Sequence, residues 1–172
     1  VLLGAIIEGA SGLAYEDYMA RHVFAPAGMH DTGALPEDVD LPGRARAYTR
    51  KDGAWVDAAV TLPYRGTAAG GGYSTAADLL KFARALRAGI LLSPASLAEA
   101  TRRQTPWYGY GFMVGQRHGV AGFGHGGGAE GMNASLGIFP AQDTVVIGLS
   151  NLDPPAVERL VDYYTARMPL QR

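Results

Sequence analysis

The sequence predicts an α+β fold, with helices gathered in its first part and an antiparallel meander under a covering helix in its second. Three observations carry this. Apolar residues recur at helical spacing until about Thr105. Beyond it the pattern shortens to strand-like runs, and the last apolar pattern, Val157 to Tyr164, is helical again. Helices, then strands, then one helix is not the alternation that builds a parallel βαβ sheet. With 172 residues and 48% hydrophobic side chains, the chain has room for one core and not for several.

Each element has its own signal. The opening run Val1-Leu2-Leu3-Gly4-Ala5-Ile6-Ile7-Glu8 reads as an apolar helix closed at Ser11-Gly12. A second helix, about Ala14 to Val23, places Tyr15, Tyr18, Met19 and His22 on one face, and Pro26 and Gly28 are expected to stop it. From Asp31 to about Arg65 the periodicity is weak and prolines and glycines punctuate it. Short strands are expected there near Ala45–Tyr48 and Ala54–Val56. Ser74 or Thr75 then caps a helix with a Leu79, Phe82, Ala83, Leu86 stripe ending at Gly89. Ser93-Pro94 opens another, with a capping Ser and a Pro at the first helical position. Tyr110–Val114, Ala134–Phe139 and Thr144–Ser150 read as strands, the last two joined by the hairpin loop 140–143. Asp153-Pro154 opens the final helix, with Val157, Leu160, Val161 and Tyr164 on one face.

Composition excludes several classes of function. Lys plus Arg is 15 against 16 Asp plus Glu, a net charge of −1, without the basic excess of a phosphate-tracking nucleic-acid binder. Cysteine is absent, which removes disulfides, thiol nucleophiles and thiolate-held metals. His22, His30 and His118 lack metal-ligand spacing and read as surface or core residues. No apolar run reaches the roughly 18–20 residues that span a bilayer. The first residues show no initiator Met, basic segment or cleavage pattern, so the chain is expected to be the C-terminal part of something longer.

The 24 glycines are about twice the usual share of roughly 7%. Seven fall in the thirteen residues from Gly119 to Gly131, around Gly124-His125-Gly126-Gly127-Gly128. Such a stretch lets a ligand approach backbone N–H groups closely, and His125 would add an imidazole beside them, as in an oxyanion site. A flexible turn with a solvent-exposed His is the plainer reading. Gly122 to Gly127 also fits the dinucleotide pattern G-x-G-x-x-G, but strand-like sequence follows where that motif opens a helix. His125-Gly126-Gly127-Gly128 matches a lipase oxyanion motif, yet no G-x-S-x-G elbow lies downstream.

A family resemblance accounts for more of the chain. Gly66-Thr67-Ala68-Ala69-Gly70-Gly71-Gly72-Tyr73-Ser74-Thr75-Ala76-Ala77-Asp78-Leu79 resembles a segment of the β-lactamase-related serine hydrolases, the group of class C β-lactamases, D-alanyl-D-alanine carboxypeptidases and esterases. His125-Gly126-Gly127 resembles that family's third motif, a variant of Lys-Thr-Gly, and Val145 to Asn151 resembles the strand after it. Leu2 to Glu8 with Phe24 to Met29 is similar to the helical region after its Tyr-x-Asn motif. The family's Ser-x-x-Lys and Tyr-x-Asn are both missing here: no Ser has Lys three residues on, and none of the nine Tyr has Asn two on. In the family both lie upstream.

The resemblance therefore implies a β-lactamase/transpeptidase-like fold, an antiparallel sheet flanked by helices, present as a C-terminal fragment. Residues 1–105 would form part of the helical subdomain, and 106–172 would form three sheet strands and the covering helix. It implies that His125 faces the substrate's acidic group and the nucleophile, that Gly127 keeps the strand bare for substrate, and that the Gly128 N–H is an oxyanion donor. Gly126 stands where a hydroxyl is common, which leans toward ester or other acyl substrates. No metal or organic cofactor is implied. The expected partners are a small-molecule or peptide acyl substrate and either the missing N-terminal half or a second copy. A non-catalytic half-length module, binding peptidoglycan-like ligands or a partner chain, is the rival. Asp78 reads as a first-turn helix acid, Glu130 as a candidate facing the site, and Trp55 and Trp107 as loop residues.

Overall fold

Thr75 and Ser93 cap the helices that follow them. In the computed structural model, which describes residues 1–169, the Thr75 hydroxyl accepts the Asp78 N–H at 3.2 Å and opens α4 (Ala76–Arg87). The Ser93 hydroxyl accepts the Ser96 N–H at 3.1 Å and opens α5 (Pro94–Ala100). Before them lie α1 (Leu2–Ser11), closed by left-handed Gly12, and a continuous helical stretch made of α2 (Tyr15–Met19), a π turn (Ala20–Phe24) and α3 (Ala25–Ala27). Pro26 does not stop this helix where the sequence suggested. It sits inside the run, in α3 directly after the π turn, and Gly28 at φ 70° ends the run.

The first early strand falls later than expected, at β1 (Tyr48–Lys51), while the second, β2 (Ala54–Asp57), starts where expected and runs one residue further. Asp52 and Gly53 both have positive φ, a two-residue hairpin turn that sets the register and pairs Arg50 with Trp55. Trp55 is therefore a strand residue and not a loop residue.

The main sheet is a meander of four strands and not three, in the order β3 (Met113–Arg117), β4 (Val120–Ala129), β5 (Met132–Phe139) and β6 (Thr144–Ser150), all antiparallel. β3 begins three residues later than the sequence suggested, because residues 104–112 are knitted into a loop. β4 is the larger correction. The glycine-rich run is a ten-residue strand, not a flexible turn, although glycine carries no side chain to signal alternation.

Ala83 and Leu86 of α4 and Ile138 of β5 form a fully buried cluster, joined by Phe123, Leu136 and Val145 from the same sheet face. The opposite face carries α6 (Ala156–Thr165), whose Val157 and Val161 are buried. Asp153 does not cap α6. Its carboxylate accepts the Thr49 hydroxyl and the Gly131 N–H, both at 2.7 Å, and so pins the β1–β2 hairpin to the β4–β5 turn. Asn133 of β5 takes over at the helix instead, its Oδ1 accepting the Val157 N–H at 2.8 Å. Among the described residues no helix is long and apolar enough to cross a membrane.

Candidate active site

The turn His118-Gly119, with φ 51° and 79°, joins β3 to β4 and pairs Arg117 with Val120. In a two-residue hairpin the flanking pair exchanges both backbone hydrogen bonds, so even-numbered β4 residues aim their N–H and C=O groups toward β3. β3 pairs with β4 only as far as Gly124. Beyond it, His125 to Ala129 pair with β5 on one side alone. By the parity of the ladder the N–H groups of Gly126 and Gly128 point out of that open edge. The four residues singled out from the sequence, His125, Gly126, Gly127 and Gly128, are thus consecutive on one strand with one edge free among the described residues.

Three of them differ in what surrounds them. A Cβ on Gly127 would meet nothing within 4 Å, whereas one on Gly128 would collide with the Pro154 ring. A Cβ on Gly126 would come within 3.3 Å of the Ala134 carbonyl oxygen. Gly127 is therefore bare without any need from the chain's own packing, and Gly128 is bare because the segment leading into α6 crosses over it.

His125 lies on the α4 face of the sheet, opposite Leu136 in the register, with its ring toward solvent. Both ring nitrogens are engaged. Nδ1 lies 2.7 Å from the Gly126 carbonyl oxygen and Nε2 lies 2.9 Å from the Tyr108 hydroxyl. A carbonyl oxygen only accepts, so Nδ1 carries a hydrogen, and the neutral ring accepts the Tyr108 O–H at Nε2. The Tyr108 ring meets the imidazole edge-on at 5.7 Å, and Trp107 packs edge-on against Tyr108 at 5.1 Å.

Sequence reasoning missed Tyr108, although the alternation Tyr108-Gly109-Tyr110-Gly111 offered a signal. It also missed Asn133, buried behind the site, whose Nδ2 donates to the Gly127 carbonyl at 3.1 Å and to Glu158 Oε1 at 3.0 Å. Glu130 does not turn toward His125. It lies at the β4–β5 turn, its carboxylate 4.0 Å from the Lys51 ammonium.

Asp78 is more than a first-turn acid. Its side chain is buried and accepts the Asp31 N–H at 2.7 Å, the Thr32 hydroxyl at 2.9 Å and the Lys81 ammonium at 2.7 Å. Burial pushes its carboxyl up, but Lys81 and the two other donors outweigh that and hold it below the usual range. On the α6 side of the sheet, a cavity of about 520 Å³ runs along the bare backbone of β4 and is walled by Trp107, Met113, Phe139, Glu158 and Val161. Among the described residues no three metal-ligating side chains gather.

The chain is 30% identical to penicillin-binding protein 4 of Amycolatopsis lactamdurans over 87% of its length, but covers 45% of that protein. It spans less than half the length of the relatives it matches. Its fold superposes on a penicillin-binding protein of Bacillus halodurans with a TM-score of 0.88 and 27% identity, over 95% of this chain and 53% of that one. A D-amino acid amidase of Ochrobactrum anthropi gives a TM-score of 0.74 at 27% identity, over 88% of this chain and 48% of its own. The β-lactamase family profile matches residues 1–168, continuously from the apolar first helix past the last one, and the chain belongs to that family.

Proposed function

We propose that this chain supplies one wall of the active site of a serine hydrolase that transfers an acyl group to a Ser and then to water, with β-lactam, D-alanyl peptide or ester as the substrate class. The supporting observation is the open edge of β4, where two outward N–H groups stand beside a tethered imidazole. In this reading the nucleophilic Ser, its Lys and a Tyr lie outside these 172 residues, in agreement with the missing Ser-x-x-Lys and with relatives about twice as long. Residues 1–105 belong to the helical side of the cleft, with α4 packed beneath the sheet, and residues 106–172 form the sheet side.

The Ser oxygen attacks the acyl carbon while its proton passes to the Lys–Tyr base. The developing oxyanion is held by the Gly128 N–H together with the N–H of the Ser itself. Such a donor is worth about 10²–10³ in rate. The leaving group departs with a proton, and water then releases the acid and regenerates the Ser. Substrate lies along the bare backbone at Gly127, and His125 with Gly126 contacts it at the near end of the edge.

The test compares two proteins. The 172-residue chain alone is expected to hydrolyse neither a chromogenic β-lactam nor a p-nitrophenyl ester above background, while the full-length protein hydrolyses at least one and loses that activity with His125→Ala. Covalent labelling of a Ser within this chain by a penicillin or fluorophosphonate probe would overturn the assignment of the nucleophile. A full-length protein inert toward every acyl probe would favour a non-catalytic binding module.

A further inference from the structure

We infer that Tyr108 is a positioning residue for His125, holding the neutral imidazole, whose hydrogen the Gly126 carbonyl keeps on Nδ1, at one ring rotation, so that the pair offers a hydrogen-bond acceptor to whatever binds at the β4 edge. The inference rests on the reading of His125 as a site residue only for its effect on activity; the contact itself stands on geometry.

A histidine on an exposed strand edge ordinarily samples several rotamers and both neutral tautomers. Here each ring nitrogen has its own partner. Gly126 O, 2.7 Å from Nδ1, accepts, and Tyr108 Oη, 2.9 Å from Nε2, donates to the neutral ring. The phenol can serve only if its loop is rigid, and the loop is tied at several points. The Gln104 and Thr105 N–H groups both donate to the Tyr108 carbonyl, at 2.8 and 3.0 Å, and the Tyr108 N–H donates to Thr105 Oγ1 at 3.1 Å. The Val114 N–H donates to the Trp107 carbonyl at 2.8 Å, which lays the segment along the outer edge of β3. Gly109 is wedged under the end of α5, where a Cβ would collide with the Ala100 carbonyl oxygen.

A chemical consequence follows from the proton count. With its hydrogen committed to Nε2, the Tyr108 oxygen has only lone pairs left for a ligand, and the imidazole has no free donor. The pair therefore accepts a hydrogen bond from an amide N–H, an ammonium or a hydroxyl, and disfavours a carboxylate. Of the substrate classes proposed above, this favours an ester or other acyl compound that brings a donor to this end of the edge over a β-lactam or D-alanyl peptide that would place its carboxylate here.

The experiment reads the ring nitrogens directly. Long-range ¹H–¹⁵N spectra of the full-length protein, at a pH about two units above the ordinary histidine value of about 6.5, are expected to show His125 Nδ1 as protonated and Nε2 as unprotonated. Tyr108→Phe keeps the ring contacts and removes the hydroxyl, and it is expected to shift the Nε2 resonance, which loses its donor, while Nδ1 stays protonated against the Gly126 carbonyl. A wild-type protein with Nε2 protonated in the neutral ring overturns the inference without any variant, as does a Tyr108→Phe spectrum identical to wild type. In activity, Tyr108→Phe is expected to lower kcat/KM about fivefold, the equivalent of one hydrogen bond of about 1 kcal/mol. It is expected to cost nothing further in a His125→Ala background. If His125→Ala is itself without effect while the tautomer is as stated, the functional reading of His125 fails and the positioning contact stands.

Discussion

Gly127 and Gly128 are adjacent and identical in type, yet a methyl group should separate them cleanly. At Gly127 it enters open space with no positive φ to strain, so Gly127→Ala is expected to leave the melting temperature unchanged or slightly raised. If substrate lies along this edge, the same methyl should lower kcat/KM of the full-length protein about tenfold, the equivalent of ~1.4 kcal/mol of transition-state binding. Gly128→Ala instead drives the methyl into Pro154 and is expected to destabilise the protein by about 1–3 kcal/mol. Thermal melts and steady-state kinetics on the two variants check the pair. A Gly127→Ala protein of full activity would remove substrate from this strand. His125 and its glycines were legible in the sequence because they are contiguous and stand in a recognisable motif order. The partner of His125 was not, since Tyr108 is seventeen positions away and only the folded loop brings its hydroxyl to the ring. Asn133 is another such case: its three bonds reach α6 and β4.

Among the elements, sequence signals worked where side chains carry the pattern. β6 shows β-branched and aliphatic residues between clear turns, and its limits agree at both ends. β4 has the most glycine and offers no alternation to count, so composition alone suggests a turn and only the family resemblance puts Gly127 on a strand. The β1–β2 hairpin depends on a contact no local pattern could announce, the bond from Thr49 to Asp153, 104 positions apart. The Thr49 hydroxyl first, and then the Gly131 N–H, hold the Asp153 carboxyl below its usual range. A carboxyl depressed in the folded state favours folding above its unfolded value of about 3.9, and that contribution fades as pH falls through the lower folded value. The melting temperature is therefore expected to fall as pH drops below about 4. Asp153→Asn is expected to melt lower at neutral pH and to show a shallower acid limb. Equal acid limbs in the two proteins would mean that this carboxylate does not anchor the hairpin.

At the scale of the whole molecule, the surfaces this chain leaves open set its behaviour in isolation. Leu2, Leu3 and Ile6 of α1 are 75%, 69% and 56% exposed, and among the described residues β6 has a strand neighbour on one side only. The glycine-lined side of the sheet adds a cavity of about 520 Å³ that α6 covers only in part. Unpaired strand edges template pairing with other chains, and large apolar patches are unusual on monomers. Each aliphatic side chain left in water forgoes about 1.5–3 kcal/mol. Three of them already approach the scale of a domain's total stability of about 5–15 kcal/mol. The isolated 172-residue chain is therefore expected to self-associate and, as one half of the proposed hydrolase, to become monodisperse when the other half is co-expressed with it. Replacing Leu2, Leu3 and Ile6 with Gln tests which surface is responsible. If α1 is the sticky element, sedimentation at low micromolar concentration should show the mixture move toward monomer, whereas association through the β6 edge should persist. A single monomeric species with cooperative unfolding in the unmodified chain would show that this half folds on its own, and would favour the binding-module reading over the half-enzyme.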